Sequence, residues 1–272
     1  MADISFPTKS GEVTGILEKP TGDGPWPSIV VLHDINGSTP DLRRITKNVA
    51  ANGYVALAPD LYSRGRIRCI SRVMTNLITR RGRAIDEILA ARDHLLSLPY
   101  TTGGVGVAGF CMGGGFVLIT STKGFDAAAP FYGAMPGPYG DHFEERAPSS
   151  RAWPLGTPSW IRGEPRLRKA LDAHGIEHDI KKYDAGHSFA NQLPMQPLMR
   201  IAGFGYSPRQ RPTRGNGSTP FSLSTFTTTT GCRRPNDNPD RIGSPRRARL
   251  VRRTRRGCAF VGRLPGSASA AL

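Results

Sequence analysis

The five residues Gly109-Phe-Cys-Met-Gly113, followed at once by Gly114 and Gly115, constrain this chain more than any other stretch. They stand between Val105-Gly-Val-Ala-Gly-Phe110, which has strand character, and Phe116 to Thr122, an apolar helical pattern. A G-x-[S/C]-x-G spacing between strand and helix is that of a nucleophile elbow, a turn so tight that its flanking positions accept only small side chains. It holds one side chain in a strained, exposed pose at a helix N-terminus. The helix dipole and first-turn N–H groups favour a sulfur there as thiolate. The competing reading of Cys111 is a buried structural thiol beside a glycine-rich turn.

Around the elbow the first 135 residues alternate between strand and helix patterns. Val13 to Glu18 and Pro27 to His33 read as strands, the second apolar enough to be covered on both faces. Asp41 to Asn52 is helical and stops at Gly53, and Tyr54 to Ala58 is a strand closed by Pro59. Arg83 to Leu98 carries Ile85, Ile88, Leu89, Leu95 and Leu96 at helical spacing, and Ala127 to Tyr132 is a further strand. This rhythm predicts an α/β fold with a mainly parallel sheet and helices on both faces. Glu144 to Pro165 breaks it, with four prolines and no periodicity. It resumes with a helix over Arg166 to His174 and a strand over Glu177 to Tyr183.

The net charge of +16 suggests nucleic acid until it is divided along the chain. Residues 207–272 hold 14 Arg, no Lys and 2 Asp, or +12, which leaves +4 on the first 206 residues. Ser, Thr, Arg, Pro and Gly dominate that tail, and its apolar surface is too small to offset chain entropy, so it reads as disordered. The expected organisation is one domain over 1–206 with a tail over 207–272. Nucleic-acid binding through the tail is the alternative from another class, but no aromatic platform, helix-turn-helix or zinc spacing accompanies the arginines. No run of about 18 apolar residues could span a bilayer, and the N-terminus lacks the basic and apolar runs of a signal peptide. Four scattered cysteines form neither a disulfide framework nor a metal site. The expected setting is the cytoplasm, with no membrane partner.

A nucleophile at the elbow needs a base, and in a fold of this order the base comes last. Tyr183-Asp-Ala-Gly-His-Ser-Phe-Ala190 supplies His187 on a glycine-containing loop after the final strand. His94, His174 and His178 lie in or beside helix and strand patterns, and no strand precedes His142. His33 ends a strand on the side expected to stabilise the oxyanion.

With these residues in hand the chain resembles the dienelactone hydrolase family, over about residues 1–145 and 166–206. The resemblance rests on Leu32-His-Asp-Ile-Asn-Gly37, Ala58-Pro-Asp-Leu-Tyr-Ser-Arg64, Gly109-Phe-Cys-Met-Gly-Gly114, Phe131-Tyr-Gly133 and Gly186-His-Ser-Phe189. It implies one α/β-hydrolase domain, a monomer, that cleaves a small ester or lactone with a Cys–His–Asp triad and neither metal nor cofactor. Carried over, Cys111 is the nucleophile and His187 its base. The backbone N–H groups of Ile35 and Met112 form the oxyanion hole. Asp34 takes the acidic position that meets the resting cysteine, and Arg64 matches an arginine that binds the substrate carboxylate. Another α/β-hydrolase activity, such as thioesterase or peptidase, is the nearer alternative.

Two positions depart from the family. Asn191 stands where a second carboxylate-binding arginine is expected, and the interval 150–165 contains no Asp to complete the triad. Glu164 and Asp184 are the candidates for that acid, and Asp141 comes too early. Both aberrant regions are rich in Arg, Pro, Ser and Gly, as GC-rich coding DNA is when read out of frame. Back-translated and read two bases later, Ala147 to Pro165 can yield Pro-Ile-Val-Ala-Ser-Leu-Ala-Ala-Arg-Asp-Pro, a strand followed by the missing acid. Taken as written, the sequence predicts a strand near Leu155 without its apolar face and no C-terminal helix over the sheet. Burial lost on that scale, at ~25 cal/mol per Å2, rivals a domain's whole stability of ~5–15 kcal/mol. A poorly stable, weakly active product is the expectation.

Overall fold

In the computed structural model the described residues are 1–133, 135–136, 139, 142–143, 153–155, 163–176, 178 and 180–182. The chain opens with a hairpin of β1 (Ala2–Thr8) and β2 (Gly11–Glu18). Then follow β3 (Trp26–Leu32), α1 (Pro40–Ala51), β4 (Val55–Pro59), α2 (Arg66–Thr79) and α3 (Arg83–Ser97). Next come β5 (Thr101–Phe110), α4 (Met112–Thr120), β6 (Ala127–Phe131), β7 (Trp153–Leu155), α5 (Gly163–Ala173) and β8 (Ile180–Lys182).

Six strands form one sheet in the order β1-β2-β4-β3-β5-β6. β4, β3, β5 and β6 run parallel, while β2 pairs antiparallel with both β1 and β4. The expected mainly parallel sheet is present, with an antiparallel ribbon along one edge. Its faces are built by the two-residue period of the strands. On β3, Val30 and Leu32 join Val73, Leu77, Ile85, Ile88 and Phe116 of α2, α3 and α4. Ile29 and Val31 point to the other face, against Leu42, Ile45 and Val49 of α1. Helices therefore cover both faces, and Ile29 to Leu32 is buried throughout.

α1 forms where capping chemistry asks for it. The Thr39 hydroxyl accepts from the Leu42 N–H at 3.3 Å, Pro40 opens the helix and Asp41 lies in its first turn. Because β3 feeds α1 on one face and β4 feeds α2 and α3 on the other, the crossovers diverge beside β3. A crevice outside the carboxyl ends of the strands at such a switch point is where open α/β sheets bind ligands.

Several elements differ from expectation. β1 and α2 carry no clear sequence signal, and α4 begins at Met112, so Gly113 to Gly115 lie inside the helix and not in the turn before it. Near Leu155, where the apolar strand is missing from the sequence, a three-residue strand does form. It pairs in parallel with β8 in a separate two-stranded sheet. Pro154 at its centre brings no N–H to a ladder. α5 starts at Gly163, ahead of the expected Arg166, and takes Pro165 in its first turn, where a missing N–H costs nothing. The expected tail, 207–272, lies outside the described residues. Among the described residues no helix is long and apolar enough to cross a membrane, and no cluster of His, Cys, Asp or Glu could hold a metal ion.

Candidate active site

Cys111 occupies the single residue between β5 and α4, at φ 51° and ψ −113°. A non-glycine residue is strained there, and it stays only because its surroundings fix it. Its N–H donates to the Phe131 carbonyl at 3.0 Å, tying the turn to the end of β6, and its carbonyl accepts from the Gly115 N–H at 3.1 Å. The glycines let the first turn of α4 press onto the sheet. A Cβ on Gly113 would stand 2.6 Å from the carbonyl oxygens of both Leu32 and His33, at the end of β3. One on Gly109 would meet the Gly113 carbonyl at 2.6 Å. The elbow read from the sequence is the elbow of the structure.

The thiol is half-buried. Burial pushes the Cys111 pKa up, the Met112 N–H on its sulfur pulls it down, and the charge on Asp34 pushes it up again. The net direction is upward, so the resting group is a thiol. The thiolate expected from the helix N-terminus alone is outweighed by desolvation and by the neighbouring carboxylate.

Asp34 follows directly on the end of β3 and is buried. Its carboxylate accepts from the Asn36 N–H at 2.8 Å and from the Asn36 side-chain amide at 3.1 Å. Its carbonyl accepts from the Gly37 N–H at 3.2 Å. In this turn the donors of residues 36 and 37 are thus committed, whereas the Ile35 N–H has no acceptor among the described residues. The Ile35 side chain is 45% exposed, unusual for an isoleucine and suited to meeting a ligand. Tyr132, at φ 38° behind β6, is fully buried within electrostatic reach of Asp34, Cys111 and Asp41. Burial first, and then those three groups, push its phenol well above its usual pKa and keep it neutral.

Cys111, Met112 and Asp34 are thereby brought together, with Ile35 next along the same turn. Arg64 is engaged elsewhere: its guanidinium donates to the Ser10 carbonyl in the β1–β2 turn. Glu164 lies in the first turn of α5, ahead of Pro165. His187, Asp184 and Asp141 lie outside the described residues. Other histidines have structural partners. The His94 ring stacks on Phe6 at 5.4 Å, His142 Nε2 donates to the Leu118 carbonyl at 2.9 Å, and His178 Nδ1 donates to the Ile176 carbonyl at 2.9 Å.

Sequence reasoning placed His33 on the oxyanion side of the site without giving it a partner, and gave no role to Leu61 or Tyr62. Their signal was position alone: each follows closely on the carboxyl end of a strand, β3 or β4. The His33 ring tilts against Tyr62 at 4.9 Å, and the Tyr62 hydroxyl reaches the Met112 sulfur at 3.5 Å.

The dienelactone hydrolase family profile matches residues 13–209. A carboxymethylenebutenolidase of Pseudomonas sp. (strain P51) is 28% identical over 211 residues, covering 69% of this chain and 84% of its own length. A protein of Synechocystis sp. that carries the same name provisionally is 26% identical over 204 residues, covering 68% and 80%. Among solved structures, the dienelactone hydrolase-like promiscuous phosphotriesterase P91 from metagenomic libraries superimposes with a TM-score of 0.64 at 20% identity. That match covers 76% of this chain and 90% of the other. At such identity the likeness speaks to the fold.

Proposed function

The chain belongs to the dienelactone hydrolase family, and so to the carboxylic-ester hydrolases; from that premise we propose that it cleaves a small ester or lactone by nucleophilic attack of Cys111, with His187 as base. The observation that carries this reading is the strained Cys111 at the N-terminus of α4, with the Met112 N–H on its sulfur.

In this mechanism His187 takes the thiol proton as the sulfur attacks the substrate carbonyl carbon. The carbonyl oxygen becomes an oxyanion, held by the N–H groups of Met112 and Ile35. Collapse breaks the bond to the leaving alcohol oxygen, which takes the proton from His187, and a thioester remains on Cys111. Water, deprotonated by His187, then attacks the thioester, and the carboxylic acid leaves as the thiol is restored. Burial, with the charge on Asp34 adding to it, keeps the thiol protonated until a base and a substrate are both present. Arg64 meets a substrate carboxylate only by releasing the Ser10 carbonyl. The acid that orients His187 is Asp184 or Glu164, or none, and a histidine without its orienting partner loses orders of magnitude in rate. No step calls for a metal or cofactor. A monomer in the cytoplasm, with 1–206 as the working unit and 207–272 as an appendage, completes the proposal.

The test is hydrolysis of p-nitrophenyl acetate by the purified chain and by Cys111→Ala. A slow hydrolysis that Cys111→Ala abolishes is the expected result; hydrolysis that survives the substitution overturns the proposal.

A further inference from the structure

We propose that His33 is a positioning residue of the oxyanion hole, holding the Asp34–Ile35 peptide so that the Ile35 N–H is the donor the loop presents. The inference rests on the proposed role of Ile35, and on two hydrogen bonds that determine the state of one buried imidazole. His33 is 1% exposed. The Leu61 N–H donates to its Nε2 at 3.1 Å, and a backbone N–H can only donate, so Nε2 carries no proton. The proton is then on Nδ1, which donates to the Asp34 carbonyl at 2.7 Å. Asp60, whose carboxylate lies 3.9 Å from Nε2, is the charged group facing the ring on that side.

The consequence follows from peptide geometry. In a trans peptide the C=O of one residue and the N–H of the next point in opposite directions. Fixing the Asp34 carbonyl toward His33 and the Gly37 N–H therefore turns the Ile35 N–H to the other side of that peptide plane. Rotation of the same plane by half a turn would put a carbonyl oxygen where a donor is required. The Gly37 bond, at 3.2 Å, is the longer of the two restraints and belongs to the turn itself. The imidazole is the restraint that is itself held from another part of the fold, through the Leu61 N–H.

That restraint is anchored. The Leu61 carbonyl accepts from Arg72 Nη2 at 2.9 Å, and the Arg72 guanidinium lies 3.7 Å from the buried Glu87 carboxylate. The Tyr62 N–H donates to Asp60 Oδ1 at 2.9 Å, while its ring lies against His33 and its hydroxyl touches Met112. The segment after β4 thus supports the ring that holds the Ile35 peptide and also contacts Met112, the residue of the second donor.

Two substitutions separate the halves of the imidazole. In His33→Asn the side-chain amide falls near the place of Nδ1 and can still donate to the Asp34 carbonyl. In His33→Gln the amide falls near Nε2 and serves the Leu61 N–H instead. Hydrolysis of p-nitrophenyl acetate and alkylation of Cys111 by iodoacetamide, which forms no oxyanion, are measured for both, and for His33→Leu. The expected outcome for His33→Gln and His33→Leu is a fall in kcat of about 10- to 100-fold with KM and the alkylation rate little changed. His33→Asn recovers most of that loss. Equal recovery by Asn and Gln, a kcat unaffected by either, or alkylation falling in step with kcat overturns the assignment of His33. If His33→Leu does not fold, the Asn and Gln pair still decides. Hydrolysis independent of Cys111 overturns the proposed function instead, so the two failures are distinguishable.

Discussion

Gly113 lies so close to the end of β3 that a side-chain carbon on it would stand 2.6 Å from the carbonyl oxygen of His33. The elbow and the loop carrying Asp34 and Ile35 are thereby locked into one unit. Gly113→Ala forces α4 and β3 apart, and overpacking of this kind costs ~1–3 kcal/mol. Because the displaced atoms are backbone at both sides of the site, the effect on rate exceeds the effect on stability. The expected result is a urea midpoint lowered within that range and ester hydrolysis reduced by at least about tenfold, as for a misplaced oxyanion donor. An active Gly113→Ala enzyme with an unchanged midpoint contradicts this packing.

Asp34 and the Cys111 thiol are coupled through space, the carboxylate adding to burial in raising the thiol pKa. Removing the charge takes away one of the contributions that raise the pKa, so the pKa falls and more thiolate exists at a given pH. Asp34→Asn keeps a side-chain oxygen for the Asn36 N–H. Alkylation of Cys111 by iodoacetamide near neutral pH is expected to be severalfold faster in this variant, its pH profile shifted to lower pH. A slower reaction or an unmoved profile counts against the role given to Asp34.

How far the sequence revealed this arrangement depends on whether each element carries its own signal. β3, β4 and α1 were legible because buried strands are apolar runs and α1 has its cap, proline and glycine in place. β1 was not: it is an edge strand with a single fully buried residue, Phe6, and it contains Asp3 and Pro7. α2 begins after Gly65 with no side-chain cap and ends at Arg80 in the left-handed region, a place usually held by glycine. For the proposed site, Cys111, Met112, Asp34 and Ile35 could be nominated from local patterns and family likeness. The function of His33 depends on Leu61, 28 residues away, a relationship no local pattern contains. His187 remains a proposal from the sequence, since it lies outside the described residues.

Glu87 is 1% exposed on α3, its carboxylate 2.6 Å from Arg83 Nε and 3.7 Å from Arg72. Burial raises its pKa above the ordinary 4.5, against the opposing pull of those arginines. The folded protein therefore holds this proton to higher pH than the unfolded chain. Below both pKa values the two states are equally protonated, and the contribution of Glu87 to stability declines as pH rises from about 4.5 into the raised range. Glu87→Gln removes the titration while keeping an oxygen for Arg83. Urea unfolding of the two proteins between about pH 4 and pH 7 is expected to show that decline in the natural chain and not in the variant. Parallel curves would mean that the arginines hold Glu87 ionised throughout.

The absence of Asp from 150–165, together with the recovery of an Arg-Asp-Pro motif on shifting the frame, makes a direct prediction about the gene. Resequencing is expected to reveal compensating frame errors around codons 146–165. Peptide mass spectrometry of the expressed natural product would then lack any peptide containing Trp153. A peptide across Trp153 that matches the sequence as written overturns that reading and leaves Asp184 or Glu164 as the remaining carboxylates for His187.

The charge of residues 207–272 supplies the last test. Fourteen arginines against two aspartates would bind any polyanion with steep salt dependence, whether or not that binding serves the protein. The hydrolysis proposed at Cys111 calls for none of that charge, because the elbow and the loop beside it are positioned by strands β3, β5 and β6. A chain ending at residue 206 is expected to keep its Cys111-dependent ester hydrolysis within about twofold, since no residue after 206 has a part in the proposed reaction. Its retention on immobilised DNA at low salt should fall sharply. Loss of hydrolysis on this truncation would give the tail a part in the catalytic domain and withdraw the boundary placed at 206.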